Sequence, residues 1–425
     1  MDAHLSQVNS VQEVTLGQGK TRLVDKLCAF LLCMSPLLQQ YVGVYQNMGF
    51  TVLLVIAPIL LFRMIRAFHA EAVNIKCVMT VVPLLLYQIY ALMRQDFSVN
   101  QIIYRVFMIF VILSIATGMV NMKLVIKYAV AIGVIGAFSI ILQFALYHGT
   151  GYHLKMIPTQ FLMDERGMWT ERVTVGVVGT EGYRPSGIFL EPSHFFLYSF
   201  PLQAILLLLP GMNRSRLVKA IILSVASVCS TSGMGIAVTC GLWAVYYLLY
   251  RHRTTQWFNL AQVLTARTVL LVGAFVVVAL VAYFKVPVVQ SAINRVLVND
   301  SGKSVAISGR VDRANELLKK MSIPEVIFGD FHVAESQDFN LPGFHSTLYR
   351  FGLVGLMLSY LFYGQGLFRL KGSYFYITCI ILVVSLFSAH THGTFYMLFY
   401  AMFLINGYYS QEHQSSLRGQ TWEVS

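Results

Sequence analysis

The sequence predicts an all-helical membrane protein, because the chain is very apolar, carries few charges and is divided into runs long enough to cross a bilayer. Hydrophobic residues make up 56% of its 425 residues and charged residues 12%, and the mean hydropathy is +0.65. Soluble domains carry about twice that share of charged residues. We therefore expect a polytopic bundle of transmembrane helices and no separate soluble domain.

Twelve apolar runs have roughly the length that crosses ~30 Å of hydrocarbon. They lie at about 27–43, 48–62, 76–92, 101–120, 124–147, 193–210, 216–230, 233–250, 268–284, 345–367, 373–389 and 393–408. The sequence therefore predicts one integral membrane domain over residues 1–425, with two long loops at about 148–192 and 285–344. Residues 1–26 lack a short apolar core followed by a cleavage site, so we expect the first span to remain in the mature protein.

Lysine and arginine concentrate in alternate connections between these runs, which is the pattern of the positive-inside rule. The basic residues on that side are Lys20, Arg22, Lys26, Arg63, Arg66, Lys76, Lys123, Lys127, Arg214, Arg216, Lys219, Arg251, Arg253, Arg267, Arg369 and Lys371. This distribution predicts that both termini are cytoplasmic and that the two long loops face outward. The formal charge of +12 is therefore a topology signal and does not indicate nucleic-acid binding.

Residues 182–194 form a polar segment directly before a predicted helix and read Gly-Tyr-Arg-Pro-Ser-Gly-Ile-Phe-Leu-Glu-Pro-Ser-His. Pro192 favours the first turn of a helix and so places Glu191 at its N-terminus. The carboxylate there either caps the helix or faces an outward cavity, or does both. Arg184 precedes a proline and a glycine, so a tight turn holds it. Such an arginine suits phosphate binding in fixed geometry, and a salt-bridged loop arginine is the alternative.

Residues 308–320 in the second loop have the pattern of a short amphipathic helix at the membrane surface. Arg310 and Arg313 are three positions apart and share a face of that helix, where they either bind an anion or are solvated. His345 begins the next span. It is either an interfacial polar tip or a base whose ordinary pKa suits proton removal near neutral pH.

The outward loops show no set of metal ligands, because Asp330, Glu335 and Asp338 are scattered. All six cysteines lie inside apolar runs, where they are expected to pack as small core residues and not to form disulfides. The sequence therefore predicts neither a metal ion nor another cofactor.

These segments resemble the Wzy-type O-antigen and capsule polymerases, over most of residues 180–365. The resemblance is carried by the run 184–194, the Ser-Thr-Ser-Gly turn at 230–233, the helix around Arg310 with the Ile-Phe-Gly that follows it, and His345-Ser346 at the start of a span. The chain is more distantly similar to the O-antigen ligases. It has Ser346 where members of the polymerase family often have asparagine, so a role for an amide at this position does not carry over.

The resemblance implies a GT-C-like glycosyltransferase of the bacterial inner (cytoplasmic) membrane, with its active site on the periplasmic side. It would polymerise undecaprenyl-diphosphate-linked oligosaccharide repeat units into O-antigen, capsule or exopolysaccharide. The growing chain would pass from its lipid diphosphate to a hydroxyl of a new unit without a metal ion. A chain-length regulator and a flippase are the partner proteins that the resemblance implies.

The same resemblance assigns roles to residues at the outer face. Those expected to bind the diphosphate and the glycan are Arg184, Arg310, Arg313, His194 and Tyr183. For Tyr183, a place in the aromatic belt of the membrane interface is the alternative. Arginines suit the diphosphate because its negative charge increases as it leaves. His345 or Glu191 would remove the proton of the attacking hydroxyl, and the sequence does not choose between them.

The sequence is also compatible with other functional classes. An O-antigen ligase would transfer finished glycan to the lipid A core and differs from a polymerase only in this acceptor. A flippase or another transporter of lipid-linked glycans would place charges or broken helices near the middle of the membrane. Few charges lie there, and Arg105 is close enough to the outer end of the fourth run to be able to extend to the interface. A non-enzymatic scaffold is the least favoured class, because such a protein would have no need for two arginines and a histidine together.

Overall fold

The computed structural model describes eleven stretches of the chain: residues 22–39, 41–43, 47–68, 81–94, 99–116, 119–156, 183–209, 213–252, 308–330, 342–388 and 395–422. The fold of these stretches is all helical, which confirms that part of the predicted class. Their thirteen helices are α1 Leu23–Leu38, α2 Met48–Phe68, α3 Val81–Arg94, α4 Val99–Ala116, α5 Met122–Thr150, α6 Pro192–Leu208, α7 Arg214–Cys229, α8 Gly233–His252, α9 Ser308–Lys319, α10 Ile323–Phe328, α11 Gly343–Arg369, α12 Ser373–Phe387 and α13 Phe395–Trp422.

Eleven of the twelve predicted apolar runs coincide with a helix, and the remaining run, 268–284, lies outside the described residues. Helices α5 and α11 are long and apolar enough to cross a membrane, judged by length and composition. At a rise of 1.5 Å per residue, the 29 residues of α5 extend about 43 Å. The other apolar helical segments of this part are 10–17 residues long. Two spans are consistent with a helical membrane protein, and the set of twelve stays a prediction.

The described residues fall into two compact units. Unit 1 contains those up to Ile132 and those from Arg313 onward, and unit 2 contains those from Gly133 to Asp312. The sequence-based prediction of one domain over residues 1–425 stays a prediction.

Unit 1 is built around α3, α4 and α11. Helix α3 packs against both of the others, α4 also contacts α2 and α13, and α1 packs against α2. A buried aromatic contact joins three of these helices: the ring centroid of Tyr104 lies 6.0 Å from that of Phe50 and 5.2 Å from that of Phe395. Edge and tilted ring contacts of this kind add specific attraction to apolar burial.

Helix α11 is broken at Gly352, whose backbone has φ 63° and ψ −171°. Helix α10 and the residues after it contact this break: the backbone N–H of Asp330 donates to the carbonyl of Tyr349 at 2.8 Å. The Tyr87 hydroxyl of α3 donates to the carbonyls of Phe328 and Phe351, both at 3.1 Å. Glycine is required at the break because this left-handed backbone excludes other side chains. A Cβ there would also collide with the backbone of residues 327–329.

Helix α6 is the central helix of unit 2. Apart from Ser193, all of its residues from Pro192 to Leu208 are buried, and α7 and α8 pack against it. A helix that is apolar all round, as most of α6 is, needs such a central position. Helix α5 also approaches α6 closely, because a Cβ on Gly133 would lie 2.8 Å from the side chain of Leu202.

The amide of Gln203 joins α6, α7 and α8, three of the helices of unit 2. Its Nε2 donates to the Ser227 hydroxyl of α7 at 3.0 Å. Its Oε1 accepts from the hydroxyls of Ser224 at 3.3 Å and Thr239 of α8 at 3.2 Å. Both ends of this buried amide are therefore hydrogen-bonded, which is the condition under which a buried polar group stabilises a fold.

Candidate functional site

The polar segment before α6 ends at the residue that the sequence predicted. Helix α6 begins at Pro192, and Glu191 is its N-cap residue with an extended backbone, φ −134°. The Glu191 side chain makes no capping hydrogen bond to the helix backbone. Its Oε2 instead accepts a hydrogen bond from the Ser193 hydroxyl at 2.9 Å. The carboxylate is therefore oriented by a side chain of α6, and the hydrogen-bonded cap that the sequence allowed is not formed.

The turn that carries Arg184 is fixed to α5. The backbone N–H of Gly187 donates to Gln143 Oε1 at 2.8 Å, and that of Ile188 donates to Ser139 Oγ at 3.2 Å. Gly187 has φ +64°, and a Cβ at this position would collide with Ser139 Oγ. Only glycine both adopts this positive φ readily and has no Cβ to collide. The rigid turn predicted from the Pro-Ser-Gly sequence is therefore present, and α5 supplies its support.

Gln143 holds two loop segments at once. Its Nε2 donates to the carbonyl of Leu154 at 2.8 Å, while its Oε1 accepts from Gly187. The side chain is only 3% exposed. Sequence reasoning did not single out Gln143. The available signal is its spacing, because Ser139 and Gln143 are four positions apart in a run of apolar residues and so share one helix face.

Tyr183 anchors the residue before Arg184. Its ring is buried and lies 4.3 Å from that of Tyr147 and 5.1 Å from that of His153, measured between centroids. Burial, together with the neighbouring Tyr147, raises the pKa of Tyr183 to about 12, so its hydroxyl stays neutral at physiological pH. The predicted contact of Tyr183 with a sugar stays a prediction, and in this structure its ring faces contact protein.

Four of the predicted site residues lie in the segment that leads into the start of α6 in unit 2. Tyr183 and His194 are buried, and Arg184 and Glu191 are half-buried. The backbone N–H of His194 donates to the carbonyl of Glu191 at 3.0 Å. The segment therefore presents an arginine and a carboxylate from a backbone fixed at both ends.

A strained turn lies beside this segment. Ser230, Thr231 and Ser232 connect α7 to α8 and are all buried. Thr231 has φ 52°, a conformation that costs a β-branched residue about 1–3 kcal/mol. Within the described part of the chain its Oγ1 has no hydrogen-bond partner. A Cβ on Gly235 would lie 3.4 Å from the Phe196 ring, which brings the turn next to the first turns of α6.

The remaining predicted site residues lie elsewhere. His345 belongs to unit 1 and occupies the first turn of α11, half-buried, with its ring centroid 5.5 Å from that of Phe344. Its Nδ1 is buried and has no hydrogen-bond partner among the described residues. Arg310 and Arg313 lie in α9, which confirms the predicted helix, but their side chains are outside the described part. Their predicted roles and that of His345 stay predictions.

Arg105, which the sequence would allow to extend to the membrane interface, has a side chain buried in unit 1, 7% exposed. Its place relative to the interface stays a prediction. Its guanidinium carbon lies 5.4 Å from the centre of the Tyr104 ring. A buried arginine in an apolar helix is unusual and generally has a functional reason.

Among the described residues, no group of three or more His, Cys, Asp or Glu side chains could hold a metal ion. The cysteines of this part are free thiols, namely Cys28, Cys33, Cys229, Cys240 and Cys379, and Cys77 lies outside it. No family model matches the sequence, and no curated protein matches it significantly.

Proposed function

We propose that this protein is a membrane glycosyltransferase that polymerises undecaprenyl-diphosphate-linked repeat units at the outer face of the bacterial inner membrane. The observation that carries the proposal is the fixed segment before α6, in which Gln143 and Ser139 hold the turn after Arg184 and Ser193 orients the Glu191 carboxylate. An arginine next to a fixed turn and an oriented carboxylate in the same segment suit transfer from an anionic leaving group.

In the proposed reaction, a hydroxyl of the incoming unit attacks the anomeric carbon of the growing chain. A new glycosidic bond forms, the bond between that carbon and the diphosphate oxygen breaks, and undecaprenyl diphosphate leaves. Arg184, with Arg310 and Arg313, would stabilise the charge on the diphosphate. Glu191 or His345 would accept the hydroxyl proton, and the two remain alternatives. His194 and Tyr183 would support binding of the glycan or diphosphate.

Twelve transmembrane helices, cytoplasmic termini and outward loops are part of this proposal. The positive-inside distribution of lysine and arginine supports it. So does the coincidence of eleven predicted runs with helices.

The buried Arg105 is the observation that favours a second candidate, a transporter of lipid-linked glycans. Transporters bind charged substrates at sites within the membrane and use broken helices to do so. Unit 1 has both a buried arginine and the break at Gly352. An O-antigen ligase remains the nearest enzymatic alternative.

The test is a polysaccharide ladder from a strain lacking this gene. Complementation with the wild-type gene should restore long chains, whereas the uncomplemented strain should carry single repeat units on its acceptor. Polymer that stays on lipid diphosphate would indicate a ligase. Unpolymerised units that stay on the cytoplasmic face would indicate a transporter.

The same strain tests the site. Arg184→Ala should abolish long chains at normal protein levels. The control is Arg369→Ala at the exposed end of α11, which should keep them. A wild-type ladder from Arg184→Ala would overturn the assignment of the site.

A further inference from the structure

The starts of α1 and α5 lie side by side in unit 1. One guanidinium joins them: Arg63 of α2 pairs with the Asp25 carboxylate in the first turn of α1 and donates to the carbonyl of Met119, just before α5, at 2.9 Å. Further along both helices, the Cys33 thiol donates to the carbonyl of Val125 at 3.2 Å. The two contacts follow one another in the same order along both segments. Helices α1 and α5 therefore run in the same direction and begin at the same level.

Three lysines stand on these two helix starts. The rings of Phe30 in α1 and Tyr128 in α5 meet edge to face, with 5.8 Å between their centroids. Lys26 lies four positions before Phe30 and so shares its face of α1, one turn nearer the start. Lys127 directly precedes Tyr128, and Lys123 lies one turn before Lys127 on the same face of α5. The ring contact thus brings together two helix surfaces that both carry lysine.

The positive charge of these helix starts exceeds their negative charge. The three lysines and Arg22, the N-cap residue of α1, are all exposed. Residues 22–30 and 121–130 contain a single acidic side chain, that of Asp25. This carboxylate is already used, since it pairs with Arg63 and accepts a hydrogen bond from the backbone N–H of Arg22 at 3.2 Å. Four exposed cations on two neighbouring helix starts create a local potential that attracts an anion.

The start of α1 also exposes apolar side chains. Leu23, Leu27 and Phe30 are exposed, and their spacing of four and three residues places them in one stripe along the helix. A soluble anion would use the cations and leave this stripe uncovered. A phospholipid matches both features, because its phosphate lies at the membrane surface and its acyl chains extend into the hydrocarbon. The positive-inside pattern predicts that this end of the two helices lies at the cytoplasmic surface.

We propose that Lys26, Lys123 and Lys127, together with Arg22, form a binding site for the head group of an anionic phospholipid at the cytoplasmic surface. The ammonium groups bind the phosphate as point charges, and basic pockets between transmembrane helices suit such head groups. The acyl chains lie along the apolar stripe of α1. This site rests on the membrane placement in the proposed function and not on glycosyl transfer, so its test measures lipid binding alone.

The experiment measures the binding of dioctanoyl phosphatidylglycerol and dioctanoyl phosphatidylcholine to the full-length protein in an uncharged detergent. Both probes have the same chains and phosphate, but phosphatidylcholine carries a compensating positive charge. We expect phosphatidylglycerol to bind about tenfold more tightly or better. The double variant Lys26→Gln/Lys127→Gln should lose this preference, with phosphatidylglycerol bound about tenfold more weakly. Lys26→Arg/Lys127→Arg should keep the preference because it keeps both charges. Without lipid, the melting temperatures should all agree, since both side chains are exposed.

The matched control is Arg214→Gln/Lys219→Gln at the start of α7. It removes two exposed cations from the same predicted side of the membrane, but from a single helix of unit 2, and it should keep the preference. An equal loss in this control would mean that diffuse surface charge attracts the lipid, which would overturn the site. Equal binding of the two probes by the wild type, or an unchanged preference in Lys26→Gln/Lys127→Gln, would also overturn it. These measurements involve no glycan, so a failure here is distinct from a failure of the polysaccharide ladder.

Discussion

Gln88 in unit 1 and Gln203 in unit 2 are both buried glutamines in apolar helices, and their hydrogen bonding is opposite. Gln203 bonds to hydroxyls of α7 and α8 and so ties three helices together. Gln88 has no partner at either end among the described residues. Gln143 resembles Gln203, because it bonds at both ends and fixes the turn after Arg184.

The difference separates two uses of a buried amide. A fully bonded amide positions helices or loops, and its removal leaves its partners unsatisfied. An amide without hydrogen-bond partners contributes nothing to the stability of the fold, and its removal affects only the binding of the group that it contacts. Burial alone does not distinguish the two cases, so the distinction has to be tested by substitution.

The largest effect on stability is expected at the helix break near Gln88. Gly352→Ala forces a Cβ into the backbone of residues 327–329 and a non-glycine residue into a left-handed conformation. We expect destabilisation of about 3 kcal/mol, measured by thermal unfolding in detergent. In the control Gly364→Ala, a Cβ in the same helix would meet nothing within 4 Å. That variant should be neutral or stabilising by about 0.5–1 kcal/mol. Equal melting temperatures for the two variants would show that the break is not constrained as described.

The next largest loss of stability is expected for the substitution of Gln203, which tests the comparison of the two glutamines directly. Gln203→Leu leaves the hydroxyls of Ser224, Ser227 and Thr239 without their amide partner, although each serine keeps a backbone acceptor. We expect a loss of about 2 kcal/mol, measured by urea or thermal unfolding. A loss below about 0.5 kcal/mol would mean that this network does not hold the helices of unit 2 together.

Gln143→Leu should cost somewhat less, about 1–1.5 kcal/mol, because it removes the partner of one N–H and one carbonyl, whereas Gln203→Leu removes the partner of three hydroxyls. Its specific effect should be on the turn after Arg184. We expect faster proteolysis of the 183–191 segment and shorter polysaccharide chains at normal protein levels. Gln143→Glu keeps an acceptor for Gly187 and should retain part of the activity. If Gln143→Leu loses stability but keeps full chain length, the turn does not need this support for function.

The buried Tyr183 predicts a small and pH-dependent effect. Its pKa of about 12 in the folded protein lies above the value of about 10 for an unfolded chain. Tyr183 should therefore leave stability constant below pH 10 and reduce it as the pH rises towards 12. Tyr183→Phe keeps the ring contacts and removes the ionisable group, so its melting temperature should fall less than that of the wild type between pH 9 and pH 11. If the melting temperatures of the two proteins fall equally as the pH rises, the phenol is not buried in solution.

The smallest effect on stability is expected for Gln88→Leu, within about 0.5 kcal/mol of the wild type or stabilising. The measurement is thermal unfolding in detergent. A loss comparable with that of Gln203→Leu would break the comparison, since it would mean that the protein itself uses the Gln88 amide.

Much of the fold could be predicted because long apolar runs determine where helices form. The run after Glu191 becomes a helix that starts at Pro192, and residues 308–319 form the expected helix. The break in α11 could not be predicted, because a glycine within a helical run is compatible with a straight helix. Only the contact with residues 327–329 requires the break.

Part of the candidate site could also be predicted. Proline and glycine determine the local backbone conformation, so the turn after Arg184 follows from the sequence. The partners of that turn, Ser139 and Gln143, come from α5 and depend on how the helices pack. The burial of Arg105 also depends on packing. From the sequence alone, an arginine near the end of an apolar run fits the interface equally well.

The most direct test of the proposed function is a transfer assay with purified full-length protein and the lipid-linked repeat units that accumulate in a strain lacking the gene. In the presence of EDTA, the account predicts growing chains and one undecaprenyl diphosphate released for each linkage formed. It also predicts that Arg184→Ala gives neither product. Absence of chain growth by the wild-type protein, or growth only after a divalent metal is restored, would contradict it.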